Sequence, residues 1–72
     1  MDIRKVSIGP DLKSAIHYIV GQSVLADTNK IHLIKHEVND VLIYINNAKG
    51  EVVLWKRFNR NVPMSIEYNI DF

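Results

Sequence analysis

From Lys30 onward the chain alternates apolar and polar residues through Lys30–Val38, Val41–Asn46, Glu51–Phe58 and Met64–Asp71. Alternation sends successive side chains to opposite faces of an extended strand, so these 31 residues are confined to sheet structure. The segments are rich in Ile, Val and aromatics, which suit a pleated, half-buried surface. Their connections are short and polar, as antiparallel hairpins require. Asn39-Asp40 fits a two-residue hairpin turn, since both residues tolerate positive φ. Asn47-Ala48-Lys49-Gly50 fits a type I turn closed by a left-handed Gly, and Asn59 to Pro63 a longer loop.

These turns predict registers: Val38 opposite Val41, Ile34 opposite Ile45, Ile45 opposite Val52 and Ile43 opposite Leu54. One face then gathers Ile34, Val38, Val41, Ile43, Ile45, Val52 and Leu54, joined by Ile66, Tyr68 and Ile70 from the last strand.

The first 29 residues read differently. Asp2 to Ile8 alternates loosely and suits a short strand. Gly9-Pro10-Asp11 carries helix-start chemistry, and Leu12, Ala15, Ile16, Ile19 and Val20 follow at helical spacing. Gly21 supplies a helix stop. The spacing predicts one helix over residues 10–21, with His17 on its surface. Ser23-Val24-Leu25 is ambiguous between helix extension, edge strand and surface crossing, and Ala26-Asp27-Thr28-Asn29 reads as a turn. The expected fold class is therefore α+β: a β-α-β-β-β-β order, with an antiparallel meander of four to five strands and the helix packed on its apolar face.

Seventy-two residues form a single domain, 1–72, too small for two cores. With no Cys, neither a disulfide framework nor a thiolate metal site is available, so stability rests on apolar packing. No stretch approaches the ~20 apolar residues of a membrane helix, and Met1 to Lys5 leads into no long apolar run. The expectation is a soluble, cytoplasmic protein with no membrane role. A net charge of +1 does not mark a polyanion binder by composition.

The second sheet face carries the functional expectation. It presents Leu33, Lys35, Leu42, Tyr44, Val53, Trp55 and Arg57, where a solvent-facing surface would be mostly polar. Aromatics, aliphatics and cations together suit a protein contact surface, with Lys35, Leu42, Tyr44, Trp55 and Arg57 as its binding residues. The alternative is that Ile3, Val6, Val24 or Leu25 folds over this face to make a second small core. A different class of function is suggested by Trp55-Lys56-Arg57 and Arg60, which interleave aromatic and basic residues as single-stranded RNA or DNA binders do. Strand alternation splits those residues between faces, and the Gly- and aromatic-rich signature of an RNA-recognition strand is missing.

No metal, cofactor or catalytic site is expected. His32 and His36 lie about 13 Å apart along a strand, too far to share an ion. The serines have no accompanying base motif, and the glycines are isolated.

The chain holds ten Ile and seven Asn. Its ending, Leu54-Trp55-Lys56-Arg57-Phe58 followed by Ser65-Ile66-Glu67-Tyr68-Asn69-Ile70-Asp71-Phe72, loosely resembles small accessory proteins of T4-like bacteriophages. The resemblance covers the last quarter of the chain and transfers no functional residues. It implies a role in the infected bacterial cytoplasm, where such proteins bind and modify a host or phage component. The expected function is a non-enzymatic binding module, a modulator or inhibitor acting on a protein partner, with homo-oligomer formation also open.

Overall fold

The computed structural model describes residues 2–11, 13–25 and 28–69. Leu12, Ala26, Asp27, Ile70, Asp71 and Phe72, each part of an expectation above, lie outside the described residues. Among the described residues the fold is all-β, with seven strands in two antiparallel sheets. The strands are β1 (Ile3–Ile8), β2 (Ile16–Ile19), β3 (Ser23–Val24), β4 (Asn29–His36), β5 (Asp40–Asn46), β6 (Val52–Asn59) and β7 (Met64–Tyr68). One sheet has the order β2-β1-β7 and the other β3-β4-β5-β6.

The expected helix over 10–21 does not form, which corrects the α+β class. Asp11 does start a helical turn: its carboxylate accepts from the Lys13 and Ser14 N–H groups, and Ala15 N–H donates to the Asp11 carbonyl at 3.0 Å. The turn ends there and the chain extends as β2, pairing Val6 with Tyr18 and Ser7 with His17. The physical reason lies in what a dozen residues can sustain. An isolated helix that short is marginal, and β-branched and aromatic residues from Ile16 to Val20 are better served by a pleated surface. Burial does not follow the helical stripe: Tyr18, off that stripe, is buried, whereas Ile16 on it is 59% exposed. Gly21 does hold positive φ, at 92°, but in a tight turn where Gln22 N–H donates to the Ile19 carbonyl.

The meander β4-β5-β6 is present, with shifted registers. At the first hairpin Glu37 N–H donates to the Asp40 carbonyl, so the two-residue turn is Val38-Asn39, not Asn39-Asp40. His36 faces Val41 and Ile34 faces Ile43. A shift of two preserves the faces, but it leaves Val38 at the turn, 87% exposed.

At the second hairpin the shift is one residue, which exchanges faces. The Asn47 side chain accepts from the Lys49 and Glu51 N–H groups, and Asn47 N–H donates to the Glu51 carbonyl. These bonds close a three-residue loop, Ala48-Lys49-Gly50, with Gly50 at φ 82°. Val52 therefore faces Asn46 and Leu54 faces Tyr44. The expected core positions Val52 and Leu54 turn outward, each 47% exposed. Two bulges complete the correction. One, between Ile31 and Leu33, brings Ile31 into the core beside Ile34, and the other inserts Trp55 between the pairs Tyr44–Leu54 and Ile43–Lys56.

The first strand does not extend the meander. β1 pairs with β2 and β7, placing Ile3 opposite Tyr68 and Val6 opposite Ile66. Tyr68 is 37% exposed, so it too leaves the expected core face. Ile3, Val6 and Tyr18 from this sheet pack against Ile31, Ile34, Val41, Ile43 and Ile45 from the other. A second sheet thus supplies the cover assigned above to a helix. A small chain needs such cover because each sheet must bury one face.

Candidate functional site

With the three-stranded sheet packed on the inner face, the outer face of the four-stranded sheet has no strand over it among the described residues. Its composition follows from the observed registers. Leu33, Tyr44 and Leu54 form one row across β4, β5 and β6, and Lys35, Leu42 and Arg57 form the next. Leu33 is 36% exposed and Tyr44 half-buried. Leu42 is buried yet stands apart from the inter-sheet core cluster, which fits a position between the side chains of its own face. Arg57 reaches Asp40 at 3.7 Å, and His32 meets the Asn46 amide at 3.3 Å on the same side. Lys35 has no ion pair among the described residues, leaving its charge available to a partner.

Four of the five expected binding residues, Lys35, Leu42, Tyr44 and Arg57, are thus brought together. Trp55 is not among them. As the bulged residue it packs on the inter-sheet core, edge-on to Tyr18 with ring centroids 5.8 Å apart. Phe58 meets the same tyrosine at 5.7 Å, and the Lys56 ammonium lies 4.8 Å above the Trp55 ring. Burial pushes the Tyr18 phenol above its ordinary pKa of 10.0. The outer face keeps Leu33 and gains Leu54 and Val52 in place of Trp55 and Val53. The usable sequence signal was Asn47: an Asn opening a loop that ends in Gly binds the N–H groups after it and shortens the hairpin.

The nucleic-acid set is dispersed by the same geometry. Trp55 and Lys56 are stacked on each other at the core side, Arg57 is on the outer face, and Arg60 lies in the loop after β6. A base-stacking platform needs an open aromatic face, and one face of this indole is already occupied by a lysine.

The small sheet holds a pair that sequence reasoning missed. Ser7 and His17 are cross-strand partners, with Ser7 Oγ 2.7 Å from His17 Nδ1. A cavity of about 360 Å³ lies alongside, lined by Ser7, Asp11, Ser65 and Met64 among others. Nucleophilic catalysis also needs a group orienting the base. The nearest carboxylate in the cavity wall, Asp11, uses Oδ1 to cap its own turn, and the Ser14 N–H and hydroxyl hold that carboxyl below its ordinary value of 3.8. Ser7 is itself buried. The hydrogen bond satisfies a buried hydroxyl and ties β1 to β2.

Among the described residues no three His, Asp or Glu side chains gather as metal ligands, and no helix is long and apolar enough to cross a membrane. No family model matches the chain, and no curated protein or solved structure shows significant similarity to it.

Proposed function

We propose that this domain is a non-enzymatic protein-binding module whose contact surface is the outer face of the β3-β4-β5-β6 sheet. One observation carries this reading: Leu33, Tyr44 and Leu54 stand in register across three adjacent strands, on a face that no other strand covers among the described residues. Contiguous apolar side chains left in water mark interaction sites in small soluble domains. Lys35 and Arg57 border the row with positive charge, which favours an acidic rim on the partner. On the resemblance to phage accessory proteins, that partner is a host or phage protein of the bacterial cytoplasm, modulated or inhibited by being bound.

Tyr44 lies on β5, flanked by β4 and β6, so truncating it tests the face rather than an edge. The domain immobilised on a resin is expected to retain a discrete protein from bacterial lysate, with or without nuclease. Tyr44→Ala should weaken that association by about 2 kcal/mol, as a central aromatic anchor does. Its melting temperature should fall little, because Tyr44 is only half-buried. Retention that vanishes with nuclease and falls steeply with salt would transfer the function to nucleic acid. Full retention by a Leu33→Glu, Tyr44→Ala double variant would remove this face from the function altogether.

A further inference from the structure

β6 ends its sheet, and β7, which follows it in the chain, pairs with β1 instead. Eight residues, Val52–Asn59, therefore have no strand beside them on one side among the described residues. Natural edge strands are protected by charge, proline, bulges or shortness. The second half of β6 is so protected, by Lys56, Arg57 and the Trp55 bulge. The first half is not. Val52, Val53 and Leu54 follow one another at 47%, 40% and 47% exposure, with no charge between Glu51 and Lys56. The remaining edges are shorter or charged: β3 has two residues and β2 four, β4 beyond β3 carries Lys35, and β7 is preceded by Pro63 and carries Glu67.

The phase of this edge follows from one bond. Asn47 N–H donates to the Glu51 carbonyl, so residues 47 and 51 form a bonded position, and the ladder alternates from there. Val53 directs its backbone groups inward to Ile45, whereas Val52 and Leu54 direct theirs to the open edge.

We propose that β6 pairs antiparallel with β6 of a second copy of this chain, about a two-fold axis at Val53. In this register Val52 of each copy exchanges both backbone bonds with Leu54 of the other, satisfying every edge group between them. Val52 and Leu54 of both copies then form one apolar cluster on the outer face, and the two Val53 side chains meet on the inner one. Glu51 of one copy arrives beside Trp55 and Lys56 of the other, pairing a carboxylate with an ammonium at both ends. Centring the axis one residue later would draw the Trp55 bulge into the ladder and break the bonding. The same strand answers itself in hydrogen bonds, shape and charge, as an isologous interface requires. A net charge of +1 per chain opposes association only weakly.

Sedimentation velocity of the purified chain, from micromolar to millimolar concentration, is expected to show a species of twice the 8.3 kDa monomer mass. Val52→Pro removes an N–H that faces the open edge and no bond of the monomer's own ladder, so it should weaken the dimer by at least about tenfold. Lys56→Glu should weaken it too, by setting glutamates together, and adding Glu51→Lys to the same chain should restore it. A wild-type chain that stays monomeric throughout overturns the proposal. So does a dimer unaffected by Val52→Pro, or a Lys56→Glu defect that Glu51→Lys fails to rescue. Tyr44→Ala should leave the dimer unchanged, which separates this interface from the partner-binding face.

Discussion

Tyr18→Ala should cost about 3–5 kcal/mol of folding stability, the range for deleting a large aromatic from a packed core. Tyr18 is buried in β2 and touches both Trp55 and Phe58 of β6, so one ring ties the small sheet to the edge of the large one. Domains hold only about 5–15 kcal/mol of net stability, so the loss is a large fraction of the total. The measurement is urea denaturation followed by tryptophan emission, because removing the Tyr18 ring also uncovers Trp55 and shifts its emission to the red. Tyr18→Phe keeps the ring and should cost less than about 1.5 kcal/mol. Equal effects from the two substitutions would show that the ring contacts do not hold the sheets together.

Gly9→Ala should be the second severe change, at about 2–4 kcal/mol from strained backbone and overpacking together. Gly9 sits at φ 145°, where an added Cβ would lie 2.8 Å from the Ala15 backbone. That contact is where the chain leaves β1 and doubles back toward β2, so relieving it means moving the Asp11 turn. Gly50 is the control. It also has positive φ, but nothing lies within 4 Å of its would-be Cβ, so Gly50→Ala should cost only about 1–2 kcal/mol. Thermal melts of both variants rank them; a Gly9→Ala protein as stable as Gly50→Ala would contradict the close approach to Ala15.

The legible part of the fold was the part governed by local chemistry. Alternation located β4, β5, β6 and β7 to within a few residues, and Asn47 to Gly50 was readable as a turn because its bonds are made within the loop. Pairing phase was less legible. Whether Asn47 closes a loop of three residues or four changes nothing in the alternation, yet it decides whether Leu54 faces core or solvent. The Trp55 bulge left no mark either, since it arises from the match between two strands. At the N-terminus, Leu12, Ala15, Ile16, Ile19 and Val20 satisfied the helical period, and Asp11 does cap a turn. What overrode that period was tertiary: β1 and the inner face of the meander both needed a partner, and Tyr18 filled the gap. The candidate face kept Lys35, Leu42, Tyr44 and Arg57 because those registers slipped by even steps or by compensating ones. It lost Trp55, where the bulge intervened.

The pairing of β1 with β7 joins strands from opposite ends of the described chain, with Asn69 N–H reaching the Asp2 carbonyl at 2.8 Å. A contact between such distant residues closes nearly the whole chain as a loop, and that entropy is lost before the contact returns anything. Hairpins β4-β5 and β5-β6 close across a few residues and carry no such delay. Topology therefore orders assembly: the meander forms on its own, and the three-stranded sheet docks last. Until Met64–Tyr68 arrives, Ile3 and Val6 lack their cover on one side, and so does the inner face of the meander. During synthesis on a ribosome this leaves β1 waiting until β7, which begins only at Met64, has emerged.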